Sequence, residues 1–296
     1  MPTNRLVIPL LNVGTTLFDI PKWHLAEDAY ISQIADEDFA TLHREAEDNY
    51  ADWLKASAIC AQIENLPVTA REEAARSHAI ALAFVFNAFS AEHPIIMSKA
   101  AYIDKQPASH HTQTVDLQSA PVGPALMRAA YSIRPLASPE PIVSLFKVVQ
   151  AVVARNPAIL VTLDRFNTSL IRANTYDQII DITISLESIV ESSYEIKFRF
   201  SLYNSLVAEP DAANRRAVFE MLQTLYDARS AIVHGDIRSK SNARKIETTR
   251  QHMKDIHRAA IAVISYHLMY QFKERKASWK EHIDRLALGV ESRVTD

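Results

Sequence analysis

Through most of the second half of this chain, apolar residues recur at three- and four-residue intervals. The pattern begins near residue 139 and continues in one segment after another. Such spacing places the apolar side chains on one face of an α-helix. Glycine is scarce, with 4 among 296 residues, and alanine, leucine, isoleucine, glutamate and arginine are abundant, which also favours helix. The sequence therefore predicts a mainly α protein.

The individual helices of this half can be placed from the same pattern. Residues 209–216, EPDAANRR, are predicted to be a turn in which Asp211 caps the following helix. Consecutive helices joined by short connections are typical of a helical bundle. Apart from the helix after the turn, the predicted helices span residues 142–153, 158–173, 177–206 and 247–272.

The first 125 residues lack this sustained pattern and are predicted to be a smaller N-terminal region of mixed, mostly helical structure. We assign residues 126–296 to the bundle and expect a recognition or sensing role for the region before it. The apolar run RLVIPLLNV, interrupted by Pro9, indicates an edge strand or an extended arm. The remaining predictions are helices over 36–53 and 74–91, a candidate strand over 94–103, and a loop or domain boundary over 104–124.

Charge and composition exclude several classes of protein. The formal net charge is -3 and the isoelectric point about 6.4, so the chain has no broad basic surface for non-specific duplex binding. A local basic cluster remains, for which a solvated loop is the preferred interpretation. Its members are Arg238, Lys240, Arg244 and Lys245.

A single cysteine, Cys60, cannot form an internal disulfide or a cysteine-based zinc site, which fits a reducing compartment. The longest apolar run, residues 79–89, is too short to cross a bilayer. The pair His110–His111 would need further metal ligands that the sequence does not display. We therefore expect a cytoplasmic protein with no metal, no other cofactor and no membrane partner.

The stretch LYDARSAIVHGD, residues 225–236, places an arginine where the apolar face of its helix continues. The register of Phe219, Leu222 and Leu225 leads to Arg229. An unpaired guanidinium on a buried face is costly. Arg229 therefore needs an anion, and Glu187 on the preceding long helix is the candidate partner within the protein.

His234 follows Arg229 by five residues, a spacing that carries little information alone. Similar Arg–His spacings occur at Arg71/His78, Arg250/His257 and Arg275/His282, which we interpret as surface residues of helices. The dipeptide His234–Gly235 can also simply mark a helix end, with Gly235 in the left-handed conformation.

Asp227, Ser230 and His234 share one helical face. By contrast, His234 lies roughly 140° around the helix from Arg229. For the two to converge, either the helix ends at His234 or a second chain completes the site.

An arginine and a histidine together can cleave RNA without a metal. Histidine titrates near neutral pH, so it can take the proton of a 2′-hydroxyl or protonate a leaving oxygen. Arginine can hold the phosphate and stabilise the charge that develops in the transition state. The sequence contains no phosphate-binding loop, no nucleophile-elbow motif and no HExxH zinc motif.

These residues resemble the Apea-like branch of the HEPN superfamily. The resemblance covers roughly residues 140–272 and depends on two elements read together. One is the segment DQIIDITISLESIVESSYEIKFRFSLY with its Leu186–Glu187 pair, and the other is the motif Tyr-x-x-Arg-Ser-x-x-Val-His-Gly. Upstream, LVTLDRFNTSLIRA is similar to the helix that usually precedes them.

The resemblance implies a HEPN-type helical bundle that forms a homodimer, with the motifs of two chains lining one cleft. Many members are metal-independent endoribonucleases of toxin or antiviral (abortive infection) systems. By this analogy Arg229 and His234 would be catalytic and RNA would be the substrate. The supporting residues would be Glu187, Ser230, Asp227 and Tyr226.

Two alternatives to an active endoribonuclease stay open: a non-catalytic member of the superfamily and an unrelated helical protein. Some members of the superfamily have lost activity and bind RNA, a nucleotide or a protein partner instead. An inhibitory or sensing partner is also compatible with the active form. In the second alternative the chain is an unrelated helical protein in which Arg229 merely pairs with Glu187. The presence of both motif residues favours an enzyme.

Overall fold

A computed structural model describes residues 4–9, 22–33, 59–66, 71–89, 99–104, 112–116, 140–190, 194–273 and 277–291. The chain divides into two compact units, Met1–Val149 and Gln150–Asp296. The division falls within a helix and later than the boundary expected at residue 125. Residues 117–139 lie outside the described residues, so that expected boundary stays a prediction.

Before residue 140, the described residues form a six-stranded antiparallel sheet and one helix. The strands follow the order β2-β3-β4-β1-β5-β6 across the sheet. They are β1 (Asn4–Pro9), β2 (Lys22–His24), β3 (Ala29–Gln33), β4 (Ile59–Leu66), β5 (Lys99–Asp104) and β6 (Thr112–Asp116). Helix α1 spans Arg71–Phe89.

The first strand is an interior strand, not the edge strand that Pro9 suggested. It pairs with β4 on one side and with β5 on the other. Leu6, Val7 and Ile8 are all fully buried, so the strand is covered on both faces. Pro9 is tolerated because it is the last residue of the strand, where the ladder ends.

The predictions for the rest of this unit were partly correct. The helix expected over 74–91 is α1, and the candidate strand over 94–103 overlaps β5. Among the described residues of this region, more lie in strands than in helix, so the expectation of mostly helical structure was wrong for them. Strand β6 lies inside the segment that was expected to be a loop. Both the helix predicted over 36–53 and the pair His110–His111 lie outside the described residues.

The mainly α class of the chain is confirmed, because the described residues from 140 onward are almost entirely helical. The helices are α2 (Glu140–Arg155), α3 (Ile159–Ile171), α4 (Thr175–Val190), α5 (Ile196–Ala208), α6 (Ala212–Val233), α7 (Lys240–Gln251), α8 (Met253–Phe272) and α9 (Trp279–Ala287). Two of them, α2 and α3, match the expected segments closely.

Helix α4 is the central element of the C-terminal unit, since it packs against α3, α5, α6 and α8. Its apolar face, with Ile179, Ile182 and Leu186, is fully buried. Each such side chain contributes about 1.5–3 kcal/mol through burial. At its end, the indole of Trp279 donates to the Ile189 carbonyl at 2.8 Å and joins α9 to α4.

Two long helices predicted from the sequence are each divided in the structure. The segment 177–206 forms α4 and α5, and Glu195 before α5 has a left-handed backbone with φ 48°. The apolar spacing continues across the break because Ile189 and Ile196 are seven residues apart. Similarly, α7 and α8 meet at His252, and α7 begins earlier than expected.

The interface that α3 forms with α4 and α8 contains the ion cluster Arg165–Asp181–Arg172, which joins α3 to α4, and the histidine His257 of α8, which contacts α3. Asp181 is 3% exposed and accepts from Arg165 at 2.8 Å and from Arg172 at 2.9 Å. The Nε2 atom of His257 lies 3.1 Å from the Ser169 hydroxyl. Burial lowers the pKa of His257 to about 4. We call this interface the closed side of α4.

Candidate active site

The motif residues occupy the second half of α6, whose two ends are capped as expected. The Asp211 carboxylate accepts from the Ala213 amide at 3.0 Å, which confirms its prediction as the N-cap. At the other end His234 is the C-cap, and Gly235 is left-handed with φ 73°. The Asp236 amide donates to the Ala231 carbonyl and the Gly235 amide to Ile232. This is a Schellman ending.

Arg229 lies beside Glu187 of α4, but the carboxylate does not enclose it. The distance from Arg229 Nη2 to Glu187 Oε2 is 3.8 Å, and the two side chains are 26% and 24% exposed. That distance is too long for a hydrogen bond. Within the described structure, the Nε atom of Arg229 is buried and has no hydrogen-bond partner. The guanidinium therefore keeps donors that the protein does not satisfy.

Tyr226 is the second residue of the motif that contacts Glu187. Burial raises the pKa of the Tyr226 phenol, and a hydrogen bond to the Glu187 carboxylate adds to the effect. The Tyr226 ring packs on Phe200 of α5, with ring centroids 5.3 Å apart. Glu187 thus interacts with both Tyr226 and Arg229 of α6. Through the packing of Tyr226 on Phe200, this group of residues also contacts α5.

Asp227 anchors α6 to its two neighbours. Its carboxylate pairs with Lys197 of α5 at 2.6 Å and with Lys245 of α7 at 3.0 Å. Burial opposes the charge of this carboxyl, but the hydrogen bonds from the two lysines outweigh it and lower the pKa of Asp227. Asp227 therefore stays charged and holds the three helices around the end of α6.

Ser230 and His234 complete the predicted set. Ser230 is half-buried, and its carbonyl accepts from the His234 amide at 3.0 Å. His234 is exposed. The helix ends at Val233 with His234 as its C-cap, so the first of the two conditions considered from the sequence, a helix end at His234, is met. The imidazole lies at the exposed end of α6, five residues beyond Arg229.

Two of the histidines in the other Arg–His spacings, His257 and His282, are buried, so their interpretation as surface residues was wrong. His257 is buried on the closed side of α4, and His282 is buried against the Tyr266 hydroxyl at 2.9 Å. Arg250 is exposed and pairs with Glu247. Among these described histidines, only His234 follows its arginine at an open helix end.

Lys197 was missed by sequence reasoning, and Lys245 was recognised only as part of the basic cluster. Lys197 precedes Asp227 by 30 residues and stands at the start of a helix that the sequence did not separate. No periodic signal connects residues on different helices. Their contribution became visible only when α5, α6 and α7 were placed together.

A cavity of about 610 Å³ lies along α6 as far as Thr224 and does not include the motif. The lining residue of α6 nearest to the motif is Thr224, which precedes Arg229 by five residues, or about 7.5 Å of helix. Two charged lining residues, Asp255 and Arg258, pair with each other. We therefore take the end of α6, and not this cavity, as the candidate site.

The described part of the chain contains no group of three histidine, cysteine, aspartate or glutamate side chains arranged for a metal ion. None of its helices has the length and apolarity needed to cross a membrane. Comparison of the sequence and the structure with protein-family models, characterised proteins and solved structures finds no match.

Proposed function

We propose that this protein is a metal-independent endoribonuclease of HEPN type, in which Arg229 and His234 are the catalytic residues. The observation that supports this most strongly is the state of Arg229. Its guanidinium is half-buried, lies 3.8 Å from its nearest carboxylate oxygen and has a buried Nε without a partner. A purely structural arginine would be expected to satisfy its donors. A phosphate oxygen would satisfy the donors of Arg229 that a ligand can reach.

The proposed reaction is an intramolecular transesterification, in which a 2′-oxygen of the RNA replaces the 5′-oxygen on the adjacent phosphorus. His234 takes the proton of a 2′-hydroxyl, and the resulting oxygen attacks the adjacent phosphorus. The bond from phosphorus to the 5′-oxygen breaks, and that oxygen receives a proton from an imidazolium. The products are a 2′,3′-cyclic phosphate and a free 5′-hydroxyl. Arg229 stabilises the extra negative charge on the phosphoryl oxygens.

The supporting residues hold this pair in place. Glu187 keeps the guanidinium oriented and is itself held by the Tyr226 hydroxyl. Asp227 fixes the end of α6 against α5 and α7. Ser230 lies on the same face as His234 and is available to the substrate. We further propose that two chains form a homodimer in which two such sites share one cleft, in a toxin or antiviral setting.

A second candidate function is a non-catalytic module that binds RNA, a nucleotide or a protein partner. The shared contacts of Glu187 with Arg229 and Tyr226 favour it, because such a network also suits a fixed binding surface. In that case Arg229 would bind a phosphate or a carboxylate without chemistry. The difference between the two functions lies entirely in what His234 does.

The test is cleavage of a mixed single-stranded RNA substrate in excess EDTA. We expect cleavage by the wild type and a loss of about 10²–10⁴-fold for Arg229→Ala and for His234→Ala. Matched controls are Arg216→Ala, which removes an exposed arginine of the same helix, and His252→Ala, which removes an exposed histidine. Equal behaviour of all five proteins, with every variant folded, would refute catalysis by Arg229 and His234 and would favour the non-catalytic module.

The dimer is tested separately by light scattering. A strict monomer at micromolar concentration that retains full cleavage would refute a site shared between two chains. A dimer whose cleavage is restored by mixing inactive Arg229→Ala and His234→Ala chains would support it.

A further inference from the structure

The turn and helix that follow His234 carry the basic cluster found in the sequence. Arg238 lies in the turn, while Lys240 and Arg244 lie on α7 with the four-residue spacing that puts them on one face. All three side chains are exposed. Asn242 donates to the Asp236 carbonyl at 2.9 Å and to its carboxylate at 2.8 Å. The start of α7 is therefore held close to His234.

These three cations differ from the other exposed arginines of the C-terminal unit. Four of those arginines pair with a carboxylate; they are Arg216, Arg250, Arg258 and Arg285. By contrast, Arg238, Lys240 and Arg244 form no ion pair with any described residue. These three cations are therefore left unpaired beside the candidate active site, next to the Asp236 carboxylate that Asn242 binds, although the net charge of the chain is -3.

A groove of about 440 Å³ runs along the same helix, between α7 and the turn that joins α3 to α4. Ile237 and Ala243 contribute apolar surface, and Tyr176 contributes an aromatic ring that is 38% exposed. The Tyr176 amide donates to the Asn174 side chain at 2.9 Å, which fixes the backbone of that turn. An exposed aromatic ring on a braced turn is a suitable platform for a nucleobase.

The charged residues inside the groove do not repel a phosphate strongly. Glu247 is the one acid among the lining residues, and Arg250, also in the lining, binds it with two hydrogen bonds of 2.8 and 2.7 Å. Ile237 follows His234 by three residues, so at most about 11 Å of chain separates the histidine from the groove. A short single strand can therefore reach from one to the other.

We propose that this groove and the adjoining cations form a subsite for single-stranded RNA next to the cleavage site. Tyr176 stacks on a base in the groove, and Arg238, Lys240 and Arg244 bind the phosphates of the same strand. A duplex cannot offer the face of a paired and stacked base to Tyr176, so the subsite selects unpaired RNA. This inference rests on the proposed function, because it places substrate beside Arg229 and His234.

The experiment measures binding apart from cleavage, using a labelled single-stranded oligonucleotide whose 2′-hydroxyls are all methylated. It is carried out on the full chain by fluorescence anisotropy. Tyr176→Ala is expected to weaken binding about 5- to 100-fold, whereas Tyr176→Phe keeps the stacking face and stays near wild type. Arg238→Ala with Arg244→Ala should lower the slope of log K against log salt by about 1.4.

The controls remove the same groups elsewhere. Tyr194→Ala removes an exposed tyrosine at the start of α5, and Arg216→Ala with Arg258→Ala removes two exposed positive charges. Both are expected to bind the oligonucleotide like the wild type. Equal weakening by the control pair would show that only overall charge matters, and it would overturn the subsite.

Failure of this inference is distinguishable from failure of the proposed function. If Arg229→Ala and His234→Ala abolish cleavage but the Tyr176 and Arg238/Arg244 variants bind normally, the nuclease stands and the subsite is wrong. Equal affinity for a duplex of the same sequence would contradict the selection of unpaired RNA. Preference for polyglutamate over RNA would indicate an acidic protein partner and overturn the proposal.

Discussion

Two acidic residues of the same helix contact arginines in different ways. On the closed side of α4, Asp181 is almost fully buried and makes hydrogen bonds of 2.8 and 2.9 Å with two arginines. At the end of α6, Glu187 is partly exposed and approaches one arginine no closer than 3.8 Å. Each region also has a histidine, buried in the first as His257 and exposed in the second as His234.

The difference between these two contacts distinguishes structural from functional ion pairs in this protein. Asp181 has its charge fully compensated, so it stabilises the packing of α3 on α4 and has nothing left to offer a ligand. Arg229 is incompletely paired, which costs stability and leaves donors for an anion. The contrast predicts large stability effects on the closed side and small ones at the end of α6.

The largest effect is expected from pH, through the buried histidines His257 and His267. Burial lowers both pKa values from 6.5 to about 4. Between these values the unfolded chain binds more protons than the folded chain. The free energy of unfolding is therefore unaffected by these histidines above about pH 6.5. Towards pH 4 it decreases, by up to about 1.4 kcal/mol per pH unit for each histidine.

Urea unfolding between about pH 7 and pH 5 measures this decrease. His257→Gln should reduce the dependence on pH, because one of the two buried histidines no longer takes up a proton on unfolding. A free energy of unfolding that stays constant over this interval would contradict the buried, uncharged state of these histidines.

The next effect compares the two carboxylates directly. Asp181→Asn removes the charge that binds Arg165 and Arg172, and we expect a loss of about 3 kcal/mol in the free energy of unfolding. Glu187→Gln, the matched control on the same helix, should cost less than about 1 kcal/mol, as is usual for a loose and partly exposed pair. Chemical denaturation of both variants gives the two values, and equal losses would remove the distinction between the regions.

A further small stability effect is expected at the end of α6. Gly235→Ala places a side chain on a backbone with φ 73°, although no atom lies within 4 Å of the new methyl group. The cost is therefore conformational only, about 1 kcal/mol. We expect cleavage to fall more than stability does, because the turn that positions His234 must change; Gly289→Ala, at φ 69°, is the control. A variant with wild-type cleavage would show that the Schellman turn does not position the histidine.

The sequence predicted the capped ends of α6 correctly because capping depends on neighbouring residues. Asp211 and Gly235 act on backbone groups only a few positions away. It also identified Glu187 as the neighbour of Arg229, since both continue apolar faces that must meet. It missed the breaks at Glu195 and His252, because an apolar face continues across a helix break without changing its spacing.

The sequence alone predicted that the second half of the chain is helical and that Arg229 faces inward, and it offered a helix end at His234 as one of two possibilities. These properties follow from local periodicity and capping. The tertiary structure alone shows that Asp181 is enclosed while Arg229 is left with unsatisfied donors. It also shows that Tyr176, at the start of α4, lines one groove with residues of α7. Those outcomes depend on distances between residues far apart in the chain, which are set by how the helices pack and not by any local preference.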